Sequence, residues 1–203
     1  MDPRIRRTRD AVLPATLSVL ADRGFAQFTM EGVAEAAGVA KSTVYRYWPT
    51  KLSLLRDALE ALNRQPDVQV EGGSARMRVE RLLEHLASAL SDSVLSACIP
   101  ALIEAAEHHP EVAEFLHQYS EGRRSTLTAV IRKGVDEGEL PAHLDPELAA
   151  LALSGAVFYR RIMTATPLSI GDIPHLVRQV LGPAYHNPTD PSAGPRQAKA
   201  PAA

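Results

Sequence analysis

The stretch TMEGVAEAAGVAKSTVYRYWPTKLSLL, from Thr29 to Leu55, decides the fold because short helical runs alternate in it with residues that end them. Thr29 can accept hydrogen bonds from free backbone amides, so we expect it to cap a short helix over Met30–Ala37. Gly38 tolerates a positive φ and ends that helix. A second short helix is predicted over Ser42–Trp48. Two short helices joined by so tight a turn are typical of a helix-turn-helix.

The residues between the two short helices fit the packing that this motif needs. Ala34 is small enough for the helices to touch, and Gly38 lies in the turn. The residues expected to lock the pair are apolar: Val33, Ala37, Val39 and Val44. Pro49 ends the second helix, and Thr50 is expected to cap a further helix that runs to Asn63.

The outward face of the second motif helix carries hydrogen-bond donors suited to base edges and phosphates. These residues are Lys41, Ser42, Thr43, Tyr45 and Arg46. Tyr47 and Lys51 flank the face, and Lys51 begins a helix whose free amides also favour a phosphate. The alternative is that the aromatic residues belong to the core. We assign Trp48 to the core and predict that the other residues, with Thr29, bind DNA.

Residues 5–63 strongly resemble the DNA-binding domain of the TetR/AcrR family of regulators. The resemblance lies in Gly24-Phe25, in the TM..VA..AGV pattern of Thr29–Val39, and in VYRYWPTK at Val44–Lys51. It implies that Lys41–Trp48 is the recognition helix and that Tyr45 and Lys51 touch the DNA backbone. Pro14 departs from the family, which usually has a helix-favouring residue there.

The rest of the chain is also predicted to be helical, because apolar residues recur every three or four positions. A first helix is expected over about 5–23 and ends at Gly24. Pro14 predicts either a kink in it or a start near Leu13. Later helices are predicted along a stripe of Met77, Leu82, Leu83, Leu86 and Leu90, then over Val94–Glu107, Pro110 to about Glu137, Asp145 to about Thr164, and Ile173–Leu181. The fold class is therefore all-α, with about nine helices.

Three segments of different composition suggest the domain organisation. Residues 1–64 form the expected helix-turn-helix domain. The polar segment Gln65–Ser74 is the candidate joint, and residues 65–185 form the expected ligand-binding and dimerisation domain. Residues 186–203 are rich in Pro and Ala and lack large apolar residues, so we expect a disordered tail.

The segment GAVFYRRIMTATPLS, Gly155–Ser169, resembles the C-terminal ligand-binding domain of a branch of the same family. The resemblance implies that the last two long helices form a four-helix bundle with those of a second subunit. The small residues that suit close helix packing are Ala149, Ala152, Gly155 and Ala156. The apolar residues of the proposed seam are Leu148, Leu151, Val157, Ile173, Leu176, Val177 and Val180. The alternative is that they face the protomer's own core.

A ligand pocket is expected among the middle helices, where apolar and aromatic residues are frequent. The candidate lining residues are Leu86, Leu90, Ile103, Phe115, Tyr119 and Phe158. Ordinary core packing is the alternative for each of them. The polar groups in this region are few (His85, His117, Tyr119 and Arg160), so the expected effector is a small, largely apolar molecule.

Other features limit the function classes. Cys98 is the only cysteine, which excludes an intramolecular disulfide and a zinc site built on paired cysteines. No signal peptide and no apolar run long enough to cross a bilayer are expected, so the protein is placed in the cytoplasm, away from membranes. No nucleophile motif or phosphate-binding glycine loop indicates an enzyme or a cofactor. The histidines His108, His109 and His117 are interpreted as surface residues and not as metal ligands.

Charge is divided unevenly along the chain. Residues 1–64 carry ten lysines and arginines against seven acidic residues, whereas residues 65–203 carry twelve against seventeen. A basic N-terminal part followed by an acidic remainder fits a DNA-binding domain joined to a second domain. We therefore expect a dimeric transcriptional regulator, in first place a repressor that a ligand releases from operator DNA. The alternatives are a constitutive DNA binder without an effector and a helical small-molecule-binding protein that does not act on DNA.

Overall fold

The computed structural model describes residues 3–66, 73–91, 93–164 and 166–183. In these ranges the chain forms helices and no strand. The nine α-helices are α1 (Pro3–Gln27), α2 (Met30–Ala36), α3 (Lys41–Tyr47), α4 (Lys51–Leu62), α5 (Ala75–Ala89), α6 (Val94–His108), α7 (Pro110–Asp136), α8 (Pro146–Met163) and α9 (Ile173–Leu181). A single 3-10 turn, Ile170–Asp172, precedes α9. The predicted all-α fold class is confirmed. The predicted tail, 186–203, and most of the predicted joint lie outside the described residues.

Pro14 does not mark the start of the first helix. α1 starts at Pro3, and Gly24 (φ 70°) is the residue of α1 whose backbone is not helical. A start near Leu13 is therefore wrong. Pro14 lies on the exposed side of α1, where solvent can hydrogen-bond the carbonyl that the missing N–H leaves free. The helix consequently continues through the proline.

The helix-turn-helix shares its core with the C-terminal helices. One hydrophobic cluster joins α1–α4 to α6 and the beginning of α7. Its largest fully buried side chains are Leu17, Leu20, Phe28, Trp48, Leu54, Leu55 and Leu59. α1 packs against both α4 and α6. A movement of α6 or α7 therefore acts directly on the helices that carry the motif.

Cys98 lies on α6 at the contact with α1. Its side chain is fully buried, and the thiol donates to the carbonyl oxygen of Leu17, with Sγ and O 3.2 Å apart. Burial raises the pKa of the Cys98 thiol to about 12. The thiolate is the nucleophilic form, so a buried thiol of this kind is unreactive in the native state.

We expect a thiol reagent such as Ellman's reagent to leave Cys98 unmodified in the native protein at neutral pH. Modification should begin only when the contact between α1 and α6 opens, and its rate should rise with urea across the unfolding transition. Absorbance of the released thionitrobenzoate measures both. Rapid stoichiometric labelling without denaturant would contradict the packing of α6 against α1.

The second hydrophobic cluster lies between α5, α7, α8 and α9. Its fully buried large side chains include Leu83, Ile131, Leu140, Leu153 and Ile173. α5 crosses α7 at Gly134, where an added Cβ would lie 2.5 Å from the Cβ of Ala75 and 2.9 Å from Cδ1 of Leu140. The glycine therefore allows the two helices to approach closely.

Two sequence predictions about this cluster need correction. Met77, assigned to the apolar stripe of α5, is 47% exposed, because the buried face of α5 runs through Ala75, Val79, Leu82 and Leu83. Four residues assigned to a subunit seam are instead buried in the protomer, because α8 packs against α5 and α7, and α9 packs against α5 and α8: Ala149, Val157, Ile173 and Val177. Leu148 and Leu151 of the predicted seam are exposed.

Within the described part of the chain, no single helix has the length and apolar character needed to cross a membrane. The bent pair of α5 and α6 meets that criterion only when the two helices are taken together, by length and composition alone.

Candidate nucleic-acid interface and ligand cavity

The helix-turn-helix is built by the local signals that the sequence carries. Thr29 Oγ1 accepts a hydrogen bond from the backbone N–H of Gly32 at 3.0 Å and caps α2. Gly38 has a φ of 65°, and the N–H of Val39 donates to the carbonyl of Ala34 at 3.0 Å. Ala34 and Val44 are buried, so α3 is held against α2 by these two contacts and the turn.

α3 has one buried residue, Val44, and the rest of its surface is available for contact. Lys41, Ser42, Tyr45 and Arg46 are exposed, as is Thr29 at the start of α2, whereas Thr43, Tyr47 and Lys51 are half-buried. All eight predicted DNA-binding residues therefore keep at least part of their side chains open to solvent. Trp48, assigned to the core, is 2% exposed.

Tyr45 is not free on this face, because its hydroxyl donates to Oε1 of Glu31 at 2.9 Å. The backbone N–H of Glu31, and then the Tyr45 hydroxyl, lower the pKa of the Glu31 carboxyl, and the hydrogen bond to Glu31 raises the pKa of Tyr45. The acidic residue was missed in the sequence because it belongs to the preceding helix. It places a negative charge beside Lys41 on the candidate interface.

The flanking residues of the interface are held by aromatic rings. Arg46 Nη2 donates to the hydroxyl of Tyr47 at 3.2 Å, and its guanidinium carbon lies 4.8 Å from the centre of that ring. Nζ of Lys51 lies 5.2 Å from the ring centre of Phe25. Lys51 is the first residue of α4, whose N-terminus carries a capping box between Thr50 and Ser53. The ammonium group is thus placed beside a helix end that itself favours anions.

Asp57 on α4 links three elements and was missed in the sequence. Its Oδ2 accepts from Nη1 of Arg9 on α1 and from Nε1 of Trp48 at the end of α3, both at 2.8 Å. One carboxylate therefore fixes the motif to α1 and α4. No spacing rule could have identified it, since Arg9 and Asp57 are far apart in the chain.

Replacing Asp57 with Ala should lower the free energy of unfolding by about 2 kcal/mol, because it removes two hydrogen bonds to a charged, partly solvent-screened group. Asp57→Asn keeps an acceptor for Trp48 and should cost less, and Glu60→Ala, at an exposed site on the same helix, should cost little. Urea unfolding followed by the fluorescence of the single tryptophan measures all three. Wild-type stability of Asp57→Ala would show that the carboxylate does not hold the motif.

A cavity of about 380 Å³ lies among α5, α6, α7 and α8. Five of the six predicted pocket residues line it: Leu86, Leu90, Ile103, Tyr119 and Phe158. The sixth, Phe115, is outside the lining, because its ring is buried in the first hydrophobic cluster between Arg56 and Tyr119. His85 and His117 also line the cavity, and Arg160 does not.

One end of the cavity borders the residues that follow α4. Asn63 Nδ2 donates to the hydroxyl of Tyr119 at 3.4 Å, and Gln65 Nε2 donates to the carbonyl of Arg123 at 3.2 Å. Thr126 Oγ1 donates to Oε1 of Gln65 at 3.3 Å. Two side chains and one backbone carbonyl of α7 therefore hold the chain at the point where it leaves the helix-turn-helix.

His85 stands at the same end of the cavity. Its Nε2 lies 3.4 Å from Nη2 of Arg123. Burial and then the positive charge of Arg123 lower the pKa of His85, against the opposing effect of a hydrogen bond to the Asn63 backbone. The imidazole is therefore kept neutral, in the form that can accept a hydrogen bond from the guanidinium.

α8 presents an apolar face that no other residue of the described part of the chain covers. Leu148 is 63% exposed, Tyr159 62% and Met163 67%, and Leu151 and Ile162 are also exposed. Gly155 lies among them, and an added Cβ there would meet no atom within 4 Å. The face is therefore long, apolar and open to close approach by another helix.

The histidines expected at the surface are exposed: His108, His109 and His117. His109 lies beside the ring of Phe25, with the ring centres 5.5 Å apart. Among the residues that the structure describes, no group of three His, Cys, Asp or Glu side chains is arranged to hold a metal ion.

Comparison with known proteins agrees with this geometry. Residues 12–58 match the family described as bacterial regulatory proteins, tetR family, and residues 69–180 match the tetracyclin repressor-like C-terminal domain. An HTH-type transcriptional regulator of Bacillus subtilis, YdeS, is 29% identical over 86% of this chain and 88% of its own length. The DNA-binding transcriptional repressor TetR of Mycobacteroides abscessus is 28% identical over 84% of this chain and 90% of its own.

A solved structure supports the fold alone. The fatty acid degradation regulator FadR of Bacillus halodurans superposes with a TM-score of 0.71 at 20% identity, over 85% of this chain and 97% of its own. The chain belongs to the TetR family, and it is a helix-turn-helix transcriptional regulator of that family.

Proposed function

We propose that this regulator is a repressor that a small ligand in the cavity of the C-terminal helices releases from operator DNA. The observation that carries the proposal is the position of the cavity. It is lined mainly by the C-terminal helices, and its lining includes Asn63, the residue that ends α4. A ligand there contacts both the C-terminal helices and the end of α4.

The structure supports a short route between the two sites. Tyr119, Arg123 and Thr126 lie on α7, and each is hydrogen-bonded to Asn63 or Gln65. A ligand that shifts α7 shifts the end of α4, and α4 carries Asp57, which holds α1 and Trp48. The ligand changes DNA affinity only to the extent that it prefers one arrangement of α7 over the other.

The active form in this proposal is a two-fold symmetric dimer. Two recognition helices that read successive major grooves stand roughly 34–36 Å apart or a multiple of it, which one copy of the motif cannot achieve. The exposed apolar face of α8, together with α9, supplies the contact between subunits. The division of labour is then a DNA-binding unit over residues 1–64 and a ligand-binding and dimerisation unit over residues 65–185.

On the DNA side, Thr29, Lys41, Ser42, Thr43, Tyr45, Arg46, Tyr47 and Lys51 are the proposed contact residues. Tyr45 and Lys51 bind backbone phosphates, and the remaining polar residues of α3 reach base edges. To bind a phosphate, the Tyr45 hydroxyl must leave Glu31.

We therefore expect Glu31→Gln to raise the affinity for DNA several-fold. The substitution removes a negative charge from the interface and weakens the hydrogen bond that holds Tyr45, so binding costs less. The gain should appear on operator and non-operator DNA alike and should shrink with added salt. Fluorescence anisotropy measures the DNA affinity of the variant. Glu35→Gln, which neutralises an exposed acidic residue later on α2, is the control. A lower affinity would mean that Glu31 orients Tyr45 for DNA.

A constitutive regulator without an effector is the second candidate function. C-terminal helices packed without a cavity would favour this function, and the cavity of about 380 Å³ argues against it.

Reciprocity tests the proposal. A ligand that lowers operator affinity by a given factor must itself bind more weakly to the operator complex by the same factor, typically about 5–150-fold. Titration of the ligand into free protein and into the operator complex measures both sides of the cycle. Equal affinity for the two forms would exclude that ligand as the effector.

A further inference from the structure

The cavity has one charged end and an otherwise apolar wall. Its lining includes Arg123 and Arg124, and among the residues that the structure describes no Asp or Glu side chain lines it. Just over half of the remaining lining residues are leucine or isoleucine, and most of these come from α5, α6 and α7. A cavity of this composition favours molecules that are apolar along most of their length.

Arg123 carries a positive charge that no carboxylate balances within the described part of the chain. Its neighbours there are neutral: the ring of His85, the ring of Tyr119 with its centre 5.5 Å from the guanidinium carbon, and its own carbonyl contact to Gln65. A guanidinium beside an apolar wall attracts an anion more strongly than one in water. Its planar donors also match both oxygens of a carboxylate.

A second polar side chain at the same end is only partly satisfied. Asn63 is 6% exposed and lines the cavity, and its Oδ1 has no hydrogen-bond partner among the residues that the structure describes. A buried polar atom without a partner is costly, and a molecule bound in the cavity can relieve that cost. If the amide turns over, Nδ2 takes this position and donates to an anion, while Oδ1 accepts from the hydroxyl of Tyr119.

From these groups we infer that the effector is an apolar carboxylic acid whose carboxylate is bound by Arg123 and Asn63, with its apolar part along the leucine-rich wall. The inference rests on the proposed function, because it names the chemical class of the ligand for the same cavity. It also explains the coupling: the charged group is bound by the α7 residue whose carbonyl holds Gln65.

Three probes that share an apolar chain and differ in head group test the inference: n-decanoate, decan-1-ol and decyltrimethylammonium, each below its micelle concentration. Calorimetric titration into the full-length protein should give at least about tenfold tighter binding of decanoate than of decanol, since a charge-assisted contact is worth that much. The ammonium compound should bind most weakly. Equal binding of decanoate and decanol, or a preference for the cation, would overturn the inference.

Arginine variants test whether Arg123 causes the preference for a carboxylate head group. Arg123→Gln should weaken decanoate at least about tenfold and leave decanol unchanged, which also shows that the variant is folded. Arg123→Lys keeps the positive charge but lacks the planar guanidinium. Its affinity for decanoate should lie between those of the wild type and Arg123→Gln. Arg132→Gln should change neither the binding of decanoate nor that of decanol; it removes an exposed arginine that lies on α7, like Arg123, and is paired with Glu147 on α8. Unchanged decanoate binding in Arg123→Gln would contradict the assignment.

Operator binding separates this inference from the proposed function. If decanoate binds through Arg123 and also releases operator DNA, both stand. If it binds through Arg123 without changing operator affinity, the ligand class stands and ligand-controlled release fails. If decanol releases the operator as well as decanoate does, the release stands and the carboxylate inference fails.

Discussion

Gly155→Glu should convert the proposed dimer to a monomer and weaken operator binding by about a hundredfold or more. Gly155 lies in the middle of the exposed apolar face of α8, and its lack of a side chain leaves room for a partner helix. A glutamate there fills the space and places two like charges across the two-fold axis. Loss of the second recognition helix removes the gain of bivalent binding, which is about 10²–10⁴-fold.

The substitution should leave the fold of the single chain intact. Because Gly155 also lines the cavity, both measurements are made without ligand. Nothing lies within 4 Å of an added Cβ at Gly155, and glutamate is a better helix former than glycine. Gly122→Glu on α7 is the matched control, since that glycine is also helical, exposed and free of neighbours within 4 Å. Sedimentation analysis and anisotropy on operator DNA measure the two effects. A Gly155→Glu protein that remains dimeric would place the subunit contact elsewhere.

Lys51→Ala should weaken binding to every DNA sequence by about a hundredfold, because a dimer loses two phosphate contacts. The plot of log affinity against log salt should become shallower by about 1.8 units, roughly 0.9 for each contact. The ratio of operator to non-operator affinity should stay the same, since phosphates carry no direct sequence information.

Lys133→Ala provides the control for this loss of charge. Lys133 is an exposed lysine on α7, paired with Glu137, and is distant from the motif. Its removal should leave both the affinity and the salt dependence unchanged. If Lys51→Ala kept the wild-type salt dependence, or lost affinity only for the operator, Lys51 would not be a phosphate contact.

The helix-turn-helix could be predicted because its signals are local. A capping threonine, a glycine in the turn and a buried valine act within a few residues of each other, and the structure has Thr29, Gly38 and Val44 in those roles. The number and limits of the later helices followed from the same kind of signal, as with the Asp145 cap of α8.

Features that depend on packing could not be predicted in this way. Asp57 and Glu31 act through contacts between helices, and only the assembled fold shows their partners. Phe115 has the same apolar character as the residues that line the cavity, and the direction of its side chain decides that it lies elsewhere. Val157 and Val177 are as apolar as the exposed Leu148, but each lies on the buried side of its own helix. Periodicity identifies an apolar face but not its neighbour.

If α3 reads a specific DNA sequence, the protein must bind that sequence more tightly than other DNA of the same composition. Fluorescence anisotropy at physiological salt should compare DNA flanking the protein's own coding region with a shuffled fragment of equal length and composition. We predict binding at least about 10³-fold tighter to the flanking DNA. Equal affinity for the two fragments, with the protein folded and dimeric, would contradict sequence-specific recognition by this helix.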